Sequence, residues 1–262
     1  MFELTDRCAL ITGAASGLGR AFAIAFAAHG ANVLCVDLDE DVHKTVSAIT
    51  QTGGKATASV SDVADEMSVS ELAQKVAHTF GVLHILVNNA GIATPPNRLL
   101  EVDVRDWDRV IAVNLRSVFL CSKAMLPMLL LSKDASVVNL SSFLGLKGLY
   151  PGFPVTAIPY AASKAAIDGF TRQFAIEYAR EGIRVNGIAP GWHGGTRLGR
   201  ERRVSATPDD LARFESFLSS SIPMGHRGTP EDLTGLAIYL ASSASSYVTG
   251  QIFAHDGGLT AA

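Results

Sequence analysis

A doubly wound α/β domain, with a parallel sheet covered by helices on both faces, is the fold class this sequence predicts. Two observations carry the prediction. Short apolar runs alternate with longer helix-period segments along the whole chain, the signature of strand–helix–strand units. The first run also leads straight into a glycine-rich turn, Thr12-Gly13-Ala14-Ala15-Ser16-Gly17-Leu18-Gly19, and then into a helix. A chain of 262 residues that is 48% hydrophobic can bury a sizeable core without metal or disulfide staples. No composition shift marks a domain boundary, so residues 1–262 are read as one domain.

Cys8–Thr12 reads as the first buried strand. Residues 17–29 place Leu18, Phe22 and Phe26 at helical spacing and stop at Gly30, a good C′ residue. Val33–Val36, Ala56–Val60 and Ile85–Val87 follow as strands. Between the last two, Val69, Leu72, Ala73, Val76 and Phe80 share one helical face. A long helix is expected from about Asp106 to Leu131, ended or kinked near Pro127, and another over 157–180. Ser136–Leu140, Arg184–Ile188 and Gln251–Ala254 complete the strands. Thr229-Pro230-Glu231-Asp232 reads as a helix start, with Thr229 as cap, Pro230 at the first position and acids facing the positive dipole end. Two segments break the rhythm: 143–159, rich in Gly and Pro, and 191–228, with its own short helix. Loops of such length in a compact domain are usually functional.

Charge and cysteine usage remove several function classes. Lys and Arg number 22 against 25 Asp and Glu, a net charge of −3. That is no basic footprint for nucleic acid and no polybasic membrane patch. The three cysteines, Cys8, Cys35 and Cys121, are far apart and fit neither a disulfide framework nor a zinc site. No uncharged apolar stretch is long enough to span a bilayer, and no signal peptide precedes the first run. The expectation is a soluble, cytoplasmic protein with no metal.

Two clusters carry chemistry. Glycines after the first strand let the backbone approach a pyrophosphate, whose charge suits the free N–H groups of the helix start. Asp37 ends the second strand, near the ~20-residue separation at which a ribose-binding acid falls. Further on, Tyr160 and Lys164 lie four apart and share a helix face. A free phenol has a pKa of about 10. A neighbouring ammonium favours the phenolate and makes the tyrosine a workable general acid/base. Tyr150 cannot take this part, because Pro154 stands where the lysine is needed.

From Arg7 to Gly258 the chain resembles the short-chain dehydrogenase/reductase family. The motifs run in order: Thr12 to Gly19, Asp62-Val63, Asn88-Asn89-Ala90-Gly91, Asn114 between Val113 and Leu115, the serine strand Val137 to Ser142, Tyr160 to Lys164, Arg184-Val185-Asn186 with Pro190-Gly191, and Gly250-Gln251 with Asp256-Gly257-Gly258. The resemblance implies a Rossmann-type fold and a catalytic set of Asn114, Ser142, Tyr160 and Lys164. In that set Tyr160 exchanges the proton, Ser142 bonds the same substrate oxygen, Lys164 holds the nicotinamide ribose, and Asn114 fixes a water beside Lys164. It further implies cofactor contacts at Gly13, Ser16, Gly17, Leu18, Gly19, Asp37, Asp62, Val63, Asn89, Tyr160, Lys164, Pro190, Gly191 and Thr196. Two departures stand out. The interval from Ser142 to Tyr160 is longer than usual, although Gly145 follows Ser142 in the family's manner, and Thr196 falls one place late.

An acid at Asp37 accepts hydrogen bonds from ribose hydroxyls and repels a 2′-phosphate. Ser16 and Leu38 stand where NADP-preferring relatives usually place a basic residue. NAD is therefore the expected cofactor. The expected reaction interconverts a secondary alcohol and a ketone on a small polar substrate, such as a sugar, a polyol or an anionic analogue. His193 and Arg197 are the candidate substrate contacts; Arg200, Arg202 and Arg203 lie close by, in a segment where relatives fold a lid over about 191–228. The rival readings are a 3-oxoacyl thioester reductase and a catalytically silent NAD-binding regulator. Family relatives imply a homo-oligomer, tetramer or dimer, built on the helices expected at 106–131 and 157–180.

Overall fold

The computed structural model describes residues 2–94, 97–148, 158–196 and 207–261. Seven parallel strands form one sheet in the order β3-β2-β1-β4-β5-β6-β7. They are β1 (Cys8–Thr12), β2 (Asn32–Asp37), β3 (Lys55–Val60), β4 (Ile85–Asn88), β5 (Ala135–Leu140), β6 (Ile183–Pro190) and β7 (Ile252–His255). The order reverses between β1 and β4, which pair directly, Ile11 opposite Val87. Chains leaving these two strands diverge at their carboxyl ends, and the crevice they open is where such sheets bind ligands.

The period-2 geometry of a strand splits β1 between two cores. Ala9 and Ile11 point to one face with Phe22 and Phe26 of α1 (Gly17–Ala28) and Leu240 of the late helix Thr234–Ala241. Leu10 points to the other, with Leu72 and Val76 of α3 (Glu66–Phe80), Met125, and Phe174. Each fully buried Phe or Leu contributes about 1.5–3 kcal/mol relative to exposure. Burial on both faces explains why the strands read as apolar runs.

The helices depart from the sequence reading in instructive ways. Between α1 and α3, α2 (Val42–Gln51) buries only Val42, Thr45 and Ile49, too sparse a stripe to stand out in the sequence. The long helix begins earlier than expected, at Val104, because the Asp103 carboxylate accepts from Arg105 N at 2.8 Å. It is not ended by Pro127. After α4 (Val104–Ile111) a π turn (Ala112–Arg116) leads into α5 (Ser117–Leu130), which carries Pro127 inside it. The missing N–H costs one bond near the end of the helix, while Met125, Met128 and Leu129 around it are buried. The whole 104–130 stretch is long and apolar enough to cross a membrane by length and composition. Its Leu120, Cys121, Met125 and Leu129 nevertheless pack on the sheet.

Among the described residues four further helices follow: α6 (Phe143–Leu146), α7 (Ile158–Tyr178), α8 (Pro208–Ser221) and α9 (Thr234–Ala241). The expected start at Thr229 is present as a reciprocal box: Asp232 accepts from Thr229 N at 2.7 Å, and Asp232 N donates to Thr229 Oγ1 at 3.3 Å. A 3-10 turn (Glu231–Leu233) then leads into α9. β6 runs two residues further than expected, through Pro190, which pairs with His255 at the strand end.

Candidate active site

The glycine turn joins β1 to α1 at the switch point. Gly13 and Gly17 have φ of 68° and 57°, conformations that side-chain-bearing residues rarely adopt. Gly19 is required for space, since a Cβ there would lie 2.2 Å from the Gly13 carbonyl oxygen and 2.5 Å from Asn89 Nδ2. Asn89 stitches the turn down: Nδ2 donates to the Thr12 and Gly13 carbonyls at 2.8 and 3.2 Å, and the Asn89 and Ala90 N–H groups donate to Thr12 Oγ1. Buried Thr45 adds a bond to the Ala14 carbonyl at 2.8 Å, an anchor the sequence reading missed. Ser16 caps α1 in extended conformation with no side-chain hydrogen bond, and no acid stands in the first turn. The positive end of α1 is thus open to an anion. These features fit a dinucleotide pyrophosphate.

Asp37, at the carboxyl end of β2, accepts from Ala15 N at 2.9 Å through Oδ2 and from Asp39 N at 3.0 Å through Oδ1. It therefore braces the glycine turn and caps its own. Asp62 lies just beyond β3, accepting from Ala64 N at 2.9 Å, with Val63 buried beside it. Leu38, beside Asp37, is exposed.

The second cluster forms where β4 and β5 end against α7. Lys164 is buried, and its Nζ donates to the Leu140 carbonyl at 2.6 Å. The ammonium stands 5.5 Å from the Tyr160 ring centroid, within cation–π range. Burial pulls the Lys164 pKa down to about 8, against the opposing pull of Asp168. Asn114 sits in the π turn, fully buried. Its Oδ1 accepts from Ile92 N at 2.8 Å, and its Nδ2 donates to the Ile92 carbonyl at 3.0 Å and to Ser163 Oγ at 3.1 Å. The side chain is used up in tying the 88–92 loop to α7.

Ser142 follows β5, and its Oγ accepts from Leu144 N at 3.2 Å as the cap of α6. Its neighbour Ser141 turns inward and bonds the Lys164 carbonyl at 3.3 Å. Gly145 lets α6 lie on α7, since a Cβ there would come within 2.9 Å of the Lys164 carbonyl carbon. That contact holds Ser142 close to the Tyr160–Lys164 face despite the long interval in sequence.

The opposite wall comes from the end of β6. Pro190 and Gly191 lie against β7; a Cβ on Gly191 would be 2.6 Å from Asp256 Cα. Trp192 packs on Phe143 at 5.4 Å and, edge to face, on Phe214 of α8 at 5.5 Å. His193 shares hydrogen bonds with the Gly191 carbonyl at 3.2 Å and His255 Nδ1 at 3.3 Å, and burial lowers its pKa. A cavity of about 450 Å³ is lined by Trp192, His193, Met224, His226, Asp232 and His255, among others. Thr196 reaches the start of α1, where a Cβ on Gly17 would lie 3.3 Å from its Cα. The feet of the 191–228 segment are joined by Gly194 N to the Gly228 carbonyl at 2.9 Å and Gly228 N to the Trp192 carbonyl at 3.0 Å. Arg197, Arg200, Arg202 and Arg203 lie outside the described residues. Among the described residues no group of three metal-binding side chains comes together.

Comparison with known proteins places the chain among oxidoreductases of one family. A family model described as enoyl-(acyl carrier protein) reductase matches residues 13–260. The chain is 39% identical to the 3-oxoacyl-[acyl-carrier-protein] reductase of Thermotoga maritima, covering 98% of this chain and 99% of that one. A short-chain type dehydrogenase/reductase from Mycobacterium marinum superposes with a TM-score of 0.90 at 32% identity, covering 100% of this chain and 98% of that one. A structure from Beutenbergia cavernae, described as a putative NAD(P)-dependent gluconate 5-dehydrogenase with bound NADP, gives 0.90 at 36% identity, covering 100% of this chain and 99% of that one.

Proposed function

This chain belongs to the short-chain dehydrogenase/reductase family, whose members use a nicotinamide cofactor, and we propose that it is an NAD-dependent dehydrogenase interconverting a secondary alcohol and a ketone. The observation that carries the reading is the buried Lys164 ammonium beneath Tyr160, next to the loop that holds Ser142. When bound, the nicotinamide gives or takes the hydride. The chain's own task is position and electrostatics. Lys164 favours the Tyr160 phenolate, so that Tyr160 takes the hydroxyl proton during oxidation and returns it during reduction. Ser142 Oγ donates to the same substrate oxygen and stabilises the charge that develops there. The glycine turn, with Ser16, Leu18 and the α1 N-terminus, would hold the pyrophosphate; Asp62 and Val63 would lie on the adenine side, and Pro190, Gly191 and Thr196 on the nicotinamide side.

NAD rather than NADP is supported by the Asp37 carboxylate and by the absence of a basic residue at Ser16 and Leu38. Asp37→Ala is expected to weaken NAD by about tenfold or more, the cost of hydrogen bonds to a charged group, and to relax rejection of NADP. Kd values for both cofactors, read by fluorescence, check this. A wild-type kcat/KM higher with NADP than with NAD refutes it.

The substrate we propose is a small polar alcohol, a sugar, polyol or anionic analogue, gripped by Arg197 or its neighbours, because a guanidinium suits carboxylate or phosphate oxygens. His193 is spent on Gly191 and His255 in this structure, which favours a structural part for it. The Thermotoga relative makes 3-oxoacyl thioester reduction the second reading. A panel of sugar acids, polyols, hydroxy acids, steroids and 3-oxoacyl thioesters with both cofactors, followed at the nicotinamide absorbance, separates the two. Turnover of thioesters alone overturns the first reading, and no turnover at all points to a silent NAD-binding regulator. We further propose a cytoplasmic homo-oligomer, tetramer or dimer. Apolar side chains left open on the two long helices, Phe119, Leu130 and Ile176, support the oligomer.

A further inference from the structure

One buried charge takes no part in the proposed mechanism. Asp168 lies one turn beyond Lys164 on α7, so Tyr160, Lys164 and Asp168 follow one another at four-residue spacing on a single face. Only 3% of Asp168 is exposed, and its buried Oδ1 meets no hydrogen-bond donor. A carboxyl retained for packing alone would be expected to have its oxygens satisfied. Lys164 presents the complementary problem. Its ammonium is buried, with a neutral carbonyl, that of Leu140, as its hydrogen-bond acceptor. An ammonium without a counter-charge is costly in such surroundings and tends to lose its proton.

We infer that Asp168 is a positioning residue for the proton-transfer pair: its carboxylate is the buried counter-charge that keeps Lys164 an ammonium, and so sets the alkaline end of the range in which Tyr160 works. The groups that face Asp168 fit this part. From its own helix come Lys164 and, one turn on, Arg172; from the β5–α6 junction comes the Ser141 hydroxyl. Burial is the largest influence and raises the Asp168 pKa above the usual carboxylate value, while all three of these groups oppose it and favour the ionised carboxylate. Reciprocally, the Asp168 charge raises the proton affinity of Lys164 against the desolvation that lowers it. Ser141 Oγ lies beside the Lys164 backbone, whose carbonyl it bonds. This gives its inward orientation a purpose distinct from that of Ser142.

The inference rests on the Tyr160–Lys164 reading, and the test has one arm that needs no turnover. The ¹³Cε resonance of Lys164 in the isotope-labelled protein, assigned by its loss in Lys164→Met, reports the ionisation of the amine directly. Asp168→Asn keeps the shape and removes the charge. It is expected to move the Lys164 midpoint to lower pH by about one unit, as a nearby opposite charge is lost. The alkaline limb of the kcat/KM profile should move in the same direction by a similar amount. Asp168→Thr, of similar volume and without charge, should do the same and serves if the asparagine variant does not fold. A Lys164 midpoint unmoved or raised in a folded variant overturns the inference, whatever happens to melting temperature, because a purely structural carboxyl would change stability alone. A shifted midpoint in a protein that turns over no alcohol or ketone would instead leave the inference standing and remove the proposed reaction.

Discussion

Tyr160→Phe is expected to lower kcat by about 10²–10⁴-fold, the range that a positioned proton carrier supplies, while leaving cofactor affinity nearly unchanged. The substitution removes one oxygen from a half-buried side chain near the start of α7. The ring that faces the Lys164 ammonium at 5.5 Å remains, so the lysine keeps its neighbour and the helix its packing. Stopped-flow turnover and a fluorescence titration with NAD separate the two effects. An enzyme with a phenylalanine at this position and wild-type kcat would leave the proton with some other group and dissolve the proposed mechanism.

Ser142→Ala should cost about 10²–10³-fold in kcat, as loss of an oxyanion donor does. Here the structure adds a complication that can be measured. Ser142 Oγ also caps α6, and replacing a cap by alanine costs about 0.5–2 kcal/mol of stability. Denaturant unfolding should show that loss, and Ser141→Ala provides the comparison. Ser141 touches the Lys164 carbonyl and caps nothing, so its removal should leave far more activity. A dead Ser141→Ala beside a nearly wild-type Ser142→Ala would place the serine one residue earlier and break the register across the 143–159 segment.

The strands were the most legible part of this molecule. β1, β4 and β5 are buried from both sides, so sequence and structure agree on them to within a residue. α2 was silent because three buried positions make too thin a stripe. α6 was hidden in a glycine-rich stretch, and its existence depends on a serine whose cap cannot be told from a catalytic hydroxyl by sequence. Asn114 was found by resemblance, but the π turn that carries it has no residue signature. The hydrogen bond between His193 and His255 joins residues far apart in the chain. The pairing of β6 with β7 brings them together at the cavity, a neighbourhood that sequence spacing does not show. Asp168 lay in plain sight on the Tyr160–Lys164 face, yet four-residue spacing alone could not tell a buried counter-charge from a solvated one.

The clasp at the base of the 191–228 segment bears on how this enzyme can diversify. Both bonds that close it run between backbone atoms, Gly194 and Trp192 to Gly228, so they make no demand on most of the residues strung between. Gly228 is the exception, because a Cβ there would press on the His193 ring at 2.7 Å. A descendant can thus vary much of the sequence between these two feet without disturbing the sheet, provided the Phe214 contact to Trp192 is kept. Selection on new substrates has a cassette to work on, and a single glycine marks where it plugs in.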